Sequence, residues 1–209
     1  MTLDVWLTFG ATVLAFMITP GPSHLLMLSN SMTRGAHRAF ATAVGDLTAN
    51  SLQMLCAGLG LAAVLVTSQS LLNVVKWAGV AYLLWMGLRM WRHAQDAATG
   101  SKPAPSASLR ALWGQGFLTS AANPKAVVFF AALFPQFIDP SNPFAVQFLV
   151  LSVTYLLVDG TFLVAYGLGA SWAASRLRGS GTLFVHRVGS LFMIGAAIML
   201  GLKTLRGSS

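Results

Sequence analysis

The sequence predicts an all-α membrane protein with six transmembrane helices, arranged as two inverted three-helix repeats in which helices 1 and 4 are broken near the midplane. Three observations predict this fold class. The composition is strongly apolar, six apolar segments have membrane-spanning length, and proline-containing breaks lie at matching positions of the two halves.

The composition indicates that lipid is the solvent for much of the chain. Of 209 residues, 56% are hydrophobic and 9% are charged, and the mean hydropathy is +0.70, whereas soluble domains carry about 25% charged residues. The net charge is +8, but the basic residues are few and lie between apolar runs, which argues against nucleic-acid binding. A single cysteine, Cys56, excludes an intramolecular disulfide and a CxxC redox pair.

Six segments approach the roughly 20 residues that a membrane helix needs. They are Leu3–Ser29, Phe40–Val66, Leu71–Trp91, Leu109–Ile138, Phe144–Trp172 and Leu183–Leu205. No Lys or Arg precedes the first apolar run, so we expect a retained first span and not a cleaved signal peptide. A five-span alternative, with one segment re-entrant, would move one terminus to the other side.

The distribution of basic residues predicts the orientation. Nine Lys and Arg residues flank the first, third and fifth connections: Arg34, Arg38, Arg89, Arg92, Lys102, Arg110, Arg176, Arg178 and Arg187. Only Lys76, Lys203 and Arg206 lie on the other side. The positive-inside rule therefore places these three loops in the cytoplasm and both termini on the outer side of the membrane.

The two halves of a single transporter domain, 1–209, resemble each other. The polar stretch 93–108 is predicted as a flexible linker between repeat 1, about 1–92, and repeat 2, about 109–209. "GLRMWR" (87–92) matches "GLKTLR" (201–206), and Gly10 and Gly114 each lie ten residues before a proline, Pro20 or Pro124. Three spans per repeat require the second copy to be inverted, as in secondary transporters, whose sites lie between discontinuous helices.

Both breaks are predicted to begin new half-helices. A proline inside a helix costs about 3 kcal/mol, and lipid cannot satisfy the freed carbonyl groups, so broken backbone lines a cavity or is buried. Asn123 followed by Pro124 is typical of an N-cap with proline at the first helical position, and Thr19–Pro20 or Gly21–Pro22 can act likewise. Such helix N-termini favour a carboxylate.

Lys125 is expected to have an anionic partner, because a charge inside the membrane is costly. The candidates are a substrate carboxylate, Asp46 and Asp159. The alternative is a merely kinked helix from which Lys125 extends towards the membrane surface.

Two predicted spans carry polar stripes that should face the bundle interior. The second has Thr42, Asp46, Asn50 and Gln53, and the fifth has Ser152, Tyr155, Asp159 and Tyr166. For Asn50, Gln53 and Ser152, interhelical hydrogen bonding is the simpler interpretation. For Asp46 and Asp159 we expect proton coupling or amine binding, or for Asp159 a structural role.

Two stretches carry a resemblance to a known family. "ITPGPSHLLMLSNSMTRGAHRAFATAVGD" (18–46) and "GFLTSAANPKAVVFFAALFPQFI" (116–138) resemble the LysE/RhtB family of amino-acid exporters, and the resemblance covers essentially the whole chain. It implies a six-span bacterial inner-membrane protein that exports amino acids or close derivatives, by proton exchange. Its motifs correspond to Pro20, Gly21, Pro22, Asp46, Asn123, Pro124 and Lys125. Members often have an acidic or other polar residue where this chain has Ser23, which leaves the preferred substrate charge open.

We therefore expect a secondary-active exporter and not an enzyme, with no cofactor and no metal site. Its partners are a small amino-acid substrate, protons and membrane lipid, and a homodimer is one option for its oligomeric state. The expected substrate-binding residues are Pro20, Gly21, Pro22, Ser23, Asn123, Pro124 and Lys125, and the expected cavity-lining residues are His24, Asn50, Gln53, Tyr155 and Tyr166. The alternatives are an exporter of metal or inorganic ions and a membrane-embedded redox or enzymatic protein.

Overall fold

The computed structural model describes residues 1–60 and 107–176, together with positions 77, 80–82, 84–89, 91–92, 187, 190–191, 194–195 and 197–198. All regular secondary structure in this part of the chain is helical. The predicted third and sixth spans lie partly within the described residues, and their described positions, within 77–92 and 187–198, are helical. Most of the predicted linker lies outside the described residues.

The first predicted span is two helices. Helix α1 covers Leu3–Ile18 and α2 covers Pro22–Arg34, and their axes differ by 56°. Gly21 is the N-cap of α2 and Pro22 its first residue, so of the two possible caps the second is used. Helix α2 extends five residues past the predicted end at Ser29, and the first two residues of this extension, Asn30 and Ser31, are polar side chains buried in protein.

Helix α3 follows directly and covers Ala36–Gly58, beginning four residues before the predicted start at Phe40. Gly35, with φ of 79°, separates α2 from α3 in a conformation that glycine adopts without strain. The predicted end of this span, Val66, lies outside the described residues.

The fourth predicted span is also broken. Helix α4 covers Leu109–Ala121, and a second helical segment begins after Asn123 at an angle of 53° to α4. This second segment consists of α5 (Pro124–Val128), a π-helical turn (Phe129–Leu133) and a 3₁₀ turn (Phe134–Phe137). The outer limits agree with the predicted Leu109–Ile138, whereas the π-helical turn was not predicted.

Helix α6 covers Phe144–Arg176 and extends four residues past the predicted end at Trp172. In the described part of the chain, α6 alone has the length and apolarity to cross a membrane unbroken. Each bent pair qualifies as one broken span or as a re-entrant loop, which makes up to three candidate spans.

Helices α3 and α4 pack with their backbones in contact. A Cβ atom on Gly45 would lie 2.0 Å from the carbonyl oxygen of Trp113, and one on Gly116 would lie 2.0 Å from the carbonyl oxygen of Thr42. Small residues at helix contacts of this kind allow close approach in membranes. The contact positions the polar stripe of α3 against the end of α4.

An aromatic cluster fills the core beside the second break. Its buried members are Phe9, Phe129, Phe130, Phe134 and Tyr155, from α1, the π-helical and 3₁₀ turns, and α6. The rings of Phe130 and Tyr155 are 4.7 Å apart, and those of Phe9 and Phe134 are 6.1 Å apart in an edge-on arrangement. Such aromatic pairs add about 0.5–1.5 kcal/mol beyond the burial of their area.

Candidate functional site

A polar cavity lies where the two helix breaks meet. Its polar lining comes from α2, α3, the end of α4, the second break and α6: Ser23, His24, Asp46, Asn50, Ser120, Asn123, Lys125, Tyr155 and Asp159. Its apolar lining is Phe16, Met17, Ala126 and Phe129. The cavity volume is about 20 Å³, which holds about one water-sized molecule. In this conformation the site is therefore too small for an amino acid.

Asn50 joins the two carboxylates of the site. Its Nδ2 donates to Oδ2 of Asp46 at 2.9 Å and to Oδ2 of Asp159 at 2.8 Å. Both carboxylates are 2% exposed. The stripes predicted on the second and fifth spans therefore face each other, and one amide group satisfies an oxygen of each carboxylate.

The acceptor side of Asn50 is also used. Ser120 Oγ donates to Asn50 Oδ1 at 2.8 Å, and Ser120 itself is buried. Ser120 is not among the residues predicted from the sequence, although its place three residues before Asn123 in "TSAANPK" was a usable signal. Among the described residues, Oδ1 of Asp46 has no hydrogen-bond partner, which leaves one carboxylate oxygen in the cavity available as an acceptor.

His24 connects the first break to α6. The backbone N–H of Gly21 donates to Nδ1 of His24 at 3.4 Å, and Nε2 lies 3.5 Å from Oδ1 of Asp159 without forming a hydrogen bond. The imidazole also packs against the ring of Tyr166, at 5.1 Å between centroids. His24 thus lines the cavity, whereas Tyr166 contacts the His24 ring and is not part of the lining.

Asn123 connects the second break to the first. Its Oδ1 accepts from the backbone N–H of Lys125 at 3.1 Å, the N-cap bond that the sequence predicts. Its Nδ2 donates to Ser23 Oγ at 3.5 Å. A Cβ atom on Gly21 would lie 3.4 Å from that same nitrogen, so the two breaks are in direct contact.

The observed partners of Lys125 are backbone carbonyl groups and not Asp46 or Asp159, two of the three partners that we expected. Its ammonium group donates to the carbonyl oxygens of Phe16 and Thr19, the latter at 2.6 Å, and lies 5.5 Å from the centre of the Phe16 ring. Within the described residues it forms no ion pair with Asp46 or Asp159. The cation instead satisfies carbonyl groups at the C-terminus of α1, where the helix dipole is negative.

Some expected site residues do not line the cavity. Pro20, Gly21 and Pro22 form the first break, and Gln53 donates to the carbonyl oxygens of Ser120 and Ala121, both at 3.4 Å. Gln53 therefore satisfies carbonyl groups at the end of α4, which is the structural role that its stripe position allowed. Pro124 begins α5 at the second break.

A second polar cluster lies about two helical turns from the site along α2. Asn30 Nδ2 donates to Thr42 Oγ1 at 3.0 Å and to Gln115 Oε1 at 3.3 Å, and Arg34 Nη1 donates to Asn30 Oδ1 at 2.7 Å. The hydroxyl of Tyr82 contacts Thr119 Oγ1 at 3.2 Å beside it. The site thus lies between this polar cluster and the aromatic cluster. Asn30, which lies two turns after Ser23 on the same helix, is not among the residues predicted from the sequence.

Metal ligands are not grouped in the described part of the chain. No set of three or more His, Cys, Asp or Glu side chains there has an arrangement that could hold a metal ion.

Comparisons with known proteins match most of the chain. Residues 14–204 match the family described as LysE type translocator. The chain is 32% identical over 201 residues to the homoserine/homoserine lactone efflux protein of Salmonella typhimurium, covering 95% of this chain and 97% of that protein. It is 28% identical over 172 residues to the leucine efflux protein of Klebsiella pneumoniae, covering 77% and 81%.

A membrane protein of Vibrio cholerae is 31% identical over 202 residues, covering 96% of this chain and 98% of that protein. No solved structure matches the chain. A family match over more than half of the chain, together with full-length relatives above 30% identity, establishes the family. This chain is a member of the LysE family of membrane transporters for amino-acid export.

Proposed function

We propose that this protein exports a small amino acid or close derivative across the bacterial inner membrane in exchange for protons. The observation that supports this proposal is the cavity where the two breaks meet. In this cavity two carboxylates lie near a lysine and near the N-termini of α2 and α5. We propose six spans in two inverted repeats, with both termini periplasmic and the cavity near the midplane.

The amine of the substrate would bind the carboxylate pair. Asp46 offers Oδ1, which has no hydrogen-bond partner in the part of the chain that the structure describes, and Asp159 offers Oδ1 near His24. Buried carboxylates favour a partner that carries positive charge. An ammonium group supplies three donors, enough to contact both residues.

The carboxylate of the substrate would bind on the opposite side, at the breaks. Lys125 has three donors, and the carbonyl oxygens of Phe16 and Thr19 account for two of them. The third donor, the Ser23 hydroxyl and the amide of Asn123 are the groups that would receive a carboxylate. The N-terminus of α2 adds a partial positive charge at the same place.

The side chain of the substrate would meet an apolar wall. Phe16, Met17, Ala126 and Phe129 line this part of the cavity. Two of the relatives named above are a homoserine/homoserine lactone efflux protein and a leucine efflux protein, and homoserine and leucine have uncharged side chains. An uncharged side chain is therefore the preferred substrate class, because a charged one would be buried without a partner.

Substrate export would be coupled to proton movement because the substrate ammonium group and protons compete for the same two carboxylates. A protonated carboxyl group no longer attracts an ammonium group, so the pair holds either substrate or proton. In this conformation the cavity has room for about one water-sized molecule. Binding of an amino acid therefore also requires the helices around the cavity to separate, as alternating access demands.

The alternative of a metal or inorganic ion exporter is not favoured. The relatives are named for amino-acid compounds, and the charged groups that line the cavity are of both signs, which suits a zwitterion better than a cation.

The test is transport by purified protein in proteoliposomes. Vesicles are loaded with radiolabelled homoserine or leucine, and efflux is measured with and without an imposed pH gradient, beside vesicles without protein. We expect protein-dependent efflux of at least one compound and acceleration by the gradient. Efflux of neither would contradict the proposed substrate class, and efflux indifferent to the gradient would contradict proton exchange.

A further inference from the structure

We propose that His24 couples proton uptake to the first helix break. The break is closed when the backbone N–H of Gly21 donates to the His24 ring, and His24 can take up a second proton only when this hydrogen bond is broken. The inference rests on the proposed function, and it concerns a residue that the binding scheme above does not use. It follows from the hydrogen bond that the backbone N–H of Gly21 donates to Nδ1 of the imidazole.

The hydrogen bond at the break determines the tautomer of His24. The Gly21 N–H can only donate, so Nδ1 of His24, 3.4 Å away, must be an unprotonated acceptor. A neutral imidazole then carries its proton on Nε2. That proton is directed into the site, where Oδ1 of Asp159 lies 3.5 Å away.

The closed break and a protonated imidazole therefore exclude each other. A second proton can attach only to Nδ1, where it would replace the acceptor that the Gly21 N–H needs. Two donors would then face each other in a buried place, at a cost of the order of a lost buried hydrogen bond. Protonation of His24 thus requires the break to open, and closing the break requires His24 to release its proton.

Opening at Gly21 would affect both breaks. Gly21 packs against the side chains of Asn123 and Lys125, and Lys125 donates to the carbonyl oxygens of Phe16 and Thr19 just before the first break. A change in the backbone at Gly21 therefore alters the contact that holds the second break in place. The protonation state of His24 would in this way affect the positions of both half-helices.

The groups around His24 determine its response to pH. Asp46 faces it from α3, Asp159 and the Tyr166 ring from α6, and Lys125 from α5. Burial disfavours a charged imidazole, the two carboxylates favour it and Lys125 disfavours it. A bound substrate ammonium would also disfavour it, so substrate and proton would alternate at His24 as they do at the carboxylates.

His24→Gln separates hydrogen bonding from protonation. His24 occupies the third position of α2, where a Gln side chain commonly reaches back to the N-cap N–H. Gln thus retains an acceptor for Gly21 and a donor towards Asp159, but it does not titrate. His37→Gln, at an exposed position on α3, is the matched control.

Two transport measurements in proteoliposomes test the inference: exchange of leucine or homoserine across the membrane without a gradient, and net efflux driven by a pH gradient. For His24→Gln we expect that the pH gradient no longer accelerates efflux beyond the rate of exchange that the same variant shows without a gradient, whereas in His37→Gln the gradient should accelerate efflux as in the native protein. Retained acceleration in His24→Gln, loss of its exchange, or an equal loss in His37→Gln would each overturn the proposal.

A spectroscopic measurement tests the geometry without transport. In ¹⁵N-histidine-labelled protein in micelles, the signal that disappears in His24→Gln identifies His24. We expect a neutral ring with its proton on Nε2, and a proton on Nδ1 would overturn the proposal. If the native protein exchanges neither amino acid, the proposed function fails, and this measurement still decides whether His24 accepts at the break.

Discussion

The ammonium group of Lys125 donates a hydrogen bond of 2.6 Å to the carbonyl oxygen of Thr19, so the second helix break holds the end of α1 at the first. The two breaks therefore form one structural unit. A lysine inside an apolar bundle need not have an acidic partner when carbonyl groups at a helix C-terminus are free to accept.

Lys125→Met should weaken binding of a substrate carboxylate selectively. Loss of a charge-assisted hydrogen bond corresponds to roughly 10- to 100-fold weaker binding of leucine. Leucine methyl ester, which has no carboxylate, should bind to the variant and to the native protein alike. Competition against radiolabelled leucine exchange measures both compounds.

Lys125→Arg is the matched control for that variant, because it retains the positive charge and donors for the α1 carbonyls. It should lose less affinity than Lys125→Met. An equal loss for leucine and its methyl ester in Lys125→Met would mean that Lys125 only supports the breaks.

Asp46→Asn should abolish efflux driven by a pH gradient and spare exchange. The amide cannot take up a proton, but it preserves the shape of the side chain, and Asp159 remains to hold an amine. Efflux from proteoliposomes with and without a gradient is the measurement. Unchanged gradient-driven efflux would remove Asp46 from the coupling role.

Asn50→Leu should destabilise the protein by about 1–3 kcal/mol, because it removes the amide that donates to Asp46 and Asp159 and accepts from Ser120. Thermal unfolding in detergent should show a lower midpoint. Gln53→Leu, one turn further along α3, loses only two bonds of 3.4 Å and should shift the midpoint less. The reverse order would contradict a bridging role for Asn50.

Gly116→Ala should lower the unfolding midpoint, because the new Cβ atom would lie 2.0 Å from the Thr42 carbonyl oxygen and would force α3 and α4 apart. Overpacking of this kind costs about 1–3 kcal/mol. Gly114→Ala is the control on the same helix, since no atom of the described residues lies within 4 Å of its added Cβ. That control should be neutral or stabilising by up to about 1 kcal/mol, and equal effects would contradict the close contact.

The breaks, the N-caps and the facing stripes could be predicted because their signals are local. Proline at Pro22 and Pro124 cannot continue a helix, and Asn123 has the side chain that caps one. Polar residues such as Asp46 and Asp159 must avoid lipid, so their spacing shows which face is interior.

Other features depend on where one segment meets another. The carbonyl partners of Lys125 belong to backbone, which carries no sequence signal. Phe16 and Phe129 line the site, but an apolar residue in an apolar span does not show whether it faces lipid or a cavity. The π-helical turn after Val128 likewise has no distinctive composition.

The site lies between a polar cluster around Asn30 and an aromatic cluster around Phe130. Opening of the site through one cluster should differ from opening through the other in its heat-capacity change. Exposure of the aromatic rings to water raises the heat capacity, whereas exposure of amides and hydroxyls lowers it slightly. Opening on the aromatic side should therefore depend on temperature along a strongly curved Eyring plot, and opening on the polar side along a nearly straight one. Cooling would then slow one half of the transport cycle differently from the other, and so change which conformation accumulates.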